Sequence, residues 1–188
     1  MVLPIYVFGS EVLREKALAV DITLSGVKDE LKKLIEDMFE TMYQADGVGL
    51  AAPQIGKLIR VVIVDGSPLE DDDLPELKDF KRTMINPVVV EESEEEVEYS
   101  EGCLSVPEIH AGVVRPEKIK VSYMDENLEK KEETFEGFAC RMVQHELDHL
   151  DGILFVDKIA PIRKKMVQSK LNNIKSGKKR VGYKTILK

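Results

Sequence analysis

Between Val27 and Met42 the apolar residues Val27, Leu31, Leu34, Ile35, Met38 and Met42 recur three or four positions apart, with Lys, Asp and Glu between them. That spacing keeps them on one face of an α-helix, which the pattern predicts from about Val27 to Gln44. The helix ends before Asp46-Gly47-Val48-Gly49, where glycine permits backbone angles other residues resist. Leu58 to Asp65, rich in Val and Ile, predicts a buried strand. Gly66 to Lys81 is acidic, holds two prolines and reads as a surface loop. Thr83–Val90, Glu95–Ser100, Lys118–Tyr123 and Lys130–Phe135 are β-like, with Asp125-Glu126-Asn127 as a hairpin turn. A second helix is predicted from about Gly137 to Leu150, stopped by Asp151-Gly152. A third begins at Pro161, with proline in its first turn, and runs to about Ile174. Strands at hairpin spacing flanked by helices predict an α+β fold, mainly antiparallel sheet packed around the middle helix, with a C-terminal helix.

The 188 residues are enough for one domain with one sizeable core, with a basic helix and tail from about Pro161. Apolar runs are only a few residues long, Val61-Val62-Ile63-Val64 among them, so no membrane span is expected. The apolar opening Met1 to Phe8 lacks a basic flank and a cleavage site, which argues against an export signal. The two cysteines are then expected as free thiols in a reducing cytoplasm. Net charge is −8 but uneven: Pro161 to Lys188 holds ten Lys or Arg and no acid, which leaves 17 basic and 35 acidic residues, −18, in the remainder. The acidic clusters Glu70-Asp71-Asp72-Asp73 and Glu91 to Glu98 read as a solvated loop and a solvated strand face. The basic tail reads either as a segment that meets an acidic surface such as the ribosome, or as a solvated helix fading into a flexible end. The −18 remainder argues against a protein built around specific DNA binding.

The middle helix carries His145-Glu146-Leu147-Asp148-His149. Histidines four apart project from one helical face and can grip one metal ion, with Glu146 placed to take a proton from a water that the ion polarises. A hydrolytic site normally has three protein ligands and one open position. The downstream ligands used by peptidases with this motif are missing: after Gly152 the position for a third histidine holds Phe155, and no His or Glu follows His149. Upstream, Cys140 would lie on nearly the opposite helical face and reads as core. His110 sits in a less distinctive stretch. Cys103, just after an acidic strand, is favoured as the third ligand. A metallopeptidase remains the alternative enzyme, and a closed structural metal site would need His110 or Cys140 as a fourth ligand.

Three segments together resemble the peptide deformylase family: Gly47-Val48-Gly49-Leu50-Ala51-Ala52-Pro53-Gln54, Glu101-Gly102-Cys103-Leu104-Ser105 and Gln144-His145-Glu146-Leu147-Asp148-His149. The similarity extends from Val12-Leu13-Arg14 through Gly152. The resemblance implies removal of the N-formyl group from the initiator methionine of new polypeptides, with release of formate, by a cytoplasmic enzyme acting on nascent N-formylmethionyl chains. It implies Cys103, His145 and His149 as metal ligands and Glu146 as general acid/base. Gln54 and the Leu104 N–H would bind the formyl oxygen, and Gly49 would lie beside the substrate backbone. Ligand chemistry alone suggests Zn(2+), whereas the family implies Fe(2+), with Ni(2+), Co(2+) or Zn(2+) able to substitute. Val48, Phe138 and Met142 are expected to form the methionine pocket. The chain departs from many members at His110, where they carry arginine, so that peptide-side contact would depend on imidazole protonation. Glu101 and Asp148 are expected to accept N–H bonds that orient the histidines.

Overall fold

The computed structural model describes residues 1–69 and 73–188. Glu70, Asp71 and Asp72, part of the first acidic cluster, lie outside the described residues.

In chain order the elements are β1 (Ile5–Tyr6), α1 (Val27–Gln44), β2 (Gly49–Ala51), β3 (Val61–Asp65), β4 (Lys81–Glu92), β5 (Glu96–Cys103), β6 (Val106–Pro116), β7 (Lys118–Met124), β8 (Lys130–Glu136), α2 (Gly137–Leu150), α3 (Pro161–Lys175) and β9 (Thr185–Ile186). The α+β reading holds. One sheet runs β2-β3-β4-β7-β8, all antiparallel, β5 and β6 form a separate hairpin, and β1 pairs in parallel with β9. No helix among the described residues is long and apolar enough to cross a membrane.

The five-stranded sheet lies between α1 and α2, and its sequence shows why. In β3, Val62 and Val64 point into the core under α2, while Val61 and Ile63 point into the core under α1. Alternate residues face opposite sides of a strand, so a strand covered on both faces must be apolar throughout. Leu31, Ile35, Met38 and Met42 of α1 are all buried against that second face. Each fully buried Leu, Ile or Met contributes roughly 1.5–3 kcal/mol, so this stripe, not intrinsic propensity, holds the helix in place. A third core beneath α3 gathers Val106, Ile109 and Val113 of β6 with Leu154, Phe155, Leu171 and Ile174.

Several expectations change. The strand expected from Leu58 starts at Val61, and the strand expected over Thr83–Val90 extends to Lys81 and Glu92. The loop 66–81 is not wholly superficial: it contains 3₁₀ turns at Ser67–Leu69 and Pro75–Leu77, and it buries Leu77 and Phe80 beside α2. The sequence pattern missed β6, whose Pro107 and Gly112 weaken the strand signal; among the described residues β6 pairs with β5 alone, an edge position that tolerates both. The tail does not fade into solvent. After α3 the chain turns back, and β9 pairs with β1 through Ile5–Thr185 and Tyr6–Ile186.

Candidate active site and metal centre

Helix α2 is anchored at its start by a residue from the loop region, because Glu76 Oε1 accepts the Phe138 N–H at 2.9 Å. An acceptor there satisfies one of the helix's orphan donors and suits its positive end. Along α2, Arg141, His145 and His149 are spaced four apart and share one face, which turns toward the β5–β6 hairpin. Strand β5 ends at Cys103, and its pairing with β6 is irregular between Glu101 and Cys103, the kind of break that re-aims a side chain. The Cys103, His145 and His149 ligand atoms all lie within 4.8 Å of one another, with Cys103 Sγ 3.3 Å from His149 Nε2. One thiol and two imidazoles at that separation fit a single divalent ion.

The histidine tautomers follow from their neighbours. His145 Nδ1 lies 2.8 Å from Glu101 Oε1. A carboxylate only accepts, so Nδ1 carries the hydrogen and Nε2 is left for a metal. Glu101 is itself fixed: Arg115 donates Nε and Nη2 to its two oxygens at 2.8 and 2.9 Å, and Arg141 Nη1 donates to Oε2 at 2.8 Å. Burial opposes ionisation of Glu101, but the hydrogen bonds from His145 and Arg115 overcome it and hold the carboxyl at about 2. Burial likewise opposes the charged form of His145, yet Cys103 and Glu101 raise its pKa well above the ordinary value, so a metal would bind Nε2 by displacing its proton. His149 goes the other way: burial and the adjacent His145 charge depress it, which keeps this imidazole neutral and able to bind metal.

Glu146 points aside from the two histidines. Among the described residues its Oε2 has no hydrogen-bond partner, and burial pushes its carboxyl up to about 7. A carboxylate poised near neutrality suits proton transfer in both directions. The close approach of β2 makes room for it: a Cβ on Gly49 would stand 2.3 Å from Glu146 Oε1. Gln54 is 1% exposed, which rules out an ordinary surface amide. Its Oε1 accepts the Ala51 N–H at 2.8 Å, so its Nε2 must face the other way, toward Ser105 Oγ at 3.0 Å and Cys103 Sγ at 3.6 Å.

Val48, Gly49, Gln54, Cys103, Leu104, His110, Phe138, Met142, His145 and Glu146 all border one cleft of about 640 Å³. That size is ordinary for a small-ligand or peptide-end site. His149, 1% exposed, closes the ligand cluster from behind. His110 is exposed, and its ring lies where a side chain on Gly102 would otherwise sit, 2.6 Å from that Cβ position. Cys140 is buried in the core. Asp148 corrects an expectation: it reaches neither histidine, and instead accepts from Arg115 Nη1 at 2.6 Å, bracing the arginine that holds Glu101. Sequence reasoning missed Arg115, Arg141, Ser105 and Tyr183. Only Arg141 left a signal, a charge within the apolar run Phe138 to Val143 and one helical turn before His145.

Fold and cleft together define a metal-dependent hydrolase, with two imidazoles and a carboxylate from one helix and a thiol from a hairpin. The polypeptide deformylase family model matches residues 2–165. A peptide deformylase of Christiangramia forsetii is 46% identical over 192 residues, covering 98% of this chain and 95% of its own. That of Flavobacterium johnsoniae is 45% identical over 184 residues, covering 95% and 92%. The crystal structure of the Thermotoga maritima enzyme superposes with a TM-score of 0.75 at 42% identity, covering 86% of this chain and 99% of that one. The chain belongs to the polypeptide deformylase family, whose members are enzymes that remove the formyl group from N-terminal methionine.

Proposed function

We propose that residues 1–188 act as one catalytic unit that hydrolyses the formamide of N-formylmethionyl polypeptides, with Cys103, His145 and His149 holding one divalent ion, ferrous iron in the cytoplasm. The observation that carries this reading is the convergence of those three donors beside a buried, partnerless Glu146 oxygen on one cleft. When bound, such an ion polarises a carbonyl and lowers the pKa of a coordinated water from ~16 to ~7. The remaining work falls to the chain. Glu146 takes the proton of the attacking water and returns it to the departing amine, as its pKa of about 7 allows. The Gln54 Nε2–H and the Leu104 N–H stabilise the oxyanion that forms on the formyl carbon. Each such donor typically contributes ~100- to 1,000-fold in rate.

Val48, Phe138 and Met142 supply an apolar wall for the methionine side chain, and His110 stands at the peptide side. Gly49 leaves the β2 backbone open to an extended substrate. The basic segment from Pro161 onward is read as the surface that meets the ribosome; replacing Lys165 and Lys170 by glutamine should weaken co-sedimentation with ribosomes, and unchanged sedimentation would end that reading.

The deciding experiment is anaerobic purification with metal analysis and a formate-release assay on formyl-Met-Ala-Ser, run beside Glu146→Ala. One equivalent of iron, formate release without chain cleavage, and loss of turnover in the variant are expected. Cleavage of an internal peptide bond would favour the metallopeptidase reading. Normal turnover by Glu146→Ala would overturn the mechanism.

A further inference from the structure

The cleft is not built only from the motifs. Val181, Gly182 and Tyr183, from the strap between α3 and β9, also line it. Tyr183 is half-buried among the residues packed on α1, and its hydroxyl donates to the carbonyl oxygen of Leu104 at 2.6 Å. Burial pushes the phenol well above its ordinary pKa, so it stays a donor across the working range. Leu104 is the first residue of the two-residue turn between Cys103 and Val106. No acceptor for its own N–H exists among the described residues. Its side chain lies against Gly47, where a Cβ would come within 2.6 Å of Leu104 Cδ1. The turn is therefore held on three sides: by the Cys103–Val106 pair, by Gly47, and by Tyr183 on the carbonyl. Rotation of such a turn redirects its peptide N–H groups, and a hydrogen bond on the carbonyl resists that rotation.

We propose that Tyr183 is a positioning residue: its hydroxyl fixes the Leu104–Ser105 peptide, and through it the two-residue turn, so that the N–H of the preceding Cys103–Leu104 peptide points at the formyl oxygen, making the C-terminal strap part of the catalytic cleft. This rests on the deformylase reading above and on the Leu104 N–H as an oxyanion donor. A donor held in place stabilises the transition state without reorganising, so its loosening lowers kcat more than it raises KM.

The test compares full-length, metal-loaded wild type, Tyr183→Phe and Leu187→Ala. Tyr183→Phe removes only the hydroxyl. Leu187→Ala loosens the chain just beyond β9, outside the strap, where Leu187 lies beside Gly9 and Gly177. With formyl-Met-Ala-Ser, Tyr183→Phe should lower kcat about three- to tenfold, the range expected for one neutral hydrogen bond, at unchanged KM. Its affinity for Met-Ala-Ser, which has no formyl oxygen, should match wild type. Leu187→Ala should lower the melting temperature and keep the wild-type kcat. Three results would overturn the proposal: an unchanged kcat in Tyr183→Phe, an equal weakening of Met-Ala-Ser binding, or an equal loss of kcat in Leu187→Ala. If wild type itself released no formate, the deformylase reading would have failed instead, an outcome separate from these three.

Discussion

Replacing Gly49 by alanine tests the catalytic geometry most directly. The residue lies in β2 outside the left-handed region, so its backbone accepts alanine without strain. The added methyl would meet Glu146 at 2.3 Å from Oε1, 2.8 Å from Cδ and 3.0 Å from Cγ. Comfortable contacts between non-bonded carbons lie near ~3.5–4.0 Å, so the carboxyl group must retreat by about 1 Å. A flexible side-chain end makes that movement at small cost to folding: overpacking by one methyl costs ~1 kcal/mol at its lower bound, and alanine returns ~0.4–1 kcal/mol by restricting the unfolded chain. Catalysis is less forgiving, because a reacting group misplaced by 1 Å loses about 100-fold in rate. Gly49→Ala should therefore melt within a few degrees of wild type, keep its metal, and lose roughly two orders of magnitude in kcat for formate release. A kcat within twofold of wild type would refute the placement of Glu146. Loss of metal together with activity would show that the methyl disturbs the ligands rather than the base.

The buried Glu146 carboxyl also leaves a signature in stability. Its folded pKa, about 7, exceeds the ordinary 4.5, so the unfolded chain releases this proton first and stability drains away as pH rises from 4.5 to 7. In chelator-treated protein Glu146→Gln should thus be stabilising by roughly 3 kcal/mol at pH 8 and nearly neutral at pH 4, measured by urea unfolding; an equal effect at both pH values would contradict the assignment. Glu101→Gln keeps an acceptor for His145 but sets an amide against Arg115 and Arg141. Competition with a chelator should show metal affinity reduced about 10- to 100-fold, and parental affinity would mean that Glu101 does not tune the histidine.

Much of this molecule could be read from residue order, and the failures have physical causes. α1 and α2 were expected at the bounds they occupy: α1 shows one face to a core, α2 is buried nearly all round, and each ends at a turn or glycine. The candidate metal trio was legible because His145 and His149 share a helical face and the absence of later ligands pointed back to Cys103. β6 was not: its positions alternate between buried and exposed, but the exposed Val114 and the buried Arg115 invert the apolar pattern, and Pro107 and Gly112 weaken the strand signal. β1, β2 and β9 span two or three residues, too few for any period to register. The ion-pair network around Glu101 was half visible: Glu101 was expected to orient a histidine, but nothing local marks Arg115 as buried or as the residue that Asp148 serves. Burial of a charge is decided by what packs over it, and here Glu101 of β5 and Asp148 of α2 close over Arg115.

The pairing of Ile5 with Thr185 joins positions 180 residues apart. During synthesis the helix with its two histidines and the hairpin with its thiol emerge well before the segment that walls the cleft at Val181 to Tyr183. A chain still being made can thus bring Cys103, His145 and His149 together, but the finished cleft waits for residues 181–186 to emerge. Long-range closures of this kind form late, since the entropy of bringing distant segments together must be met before their contacts stabilise anything. Completion of the active cleft in this protein is therefore tied to the arrival of residues 181–186, the segment that lines it and pairs with β1.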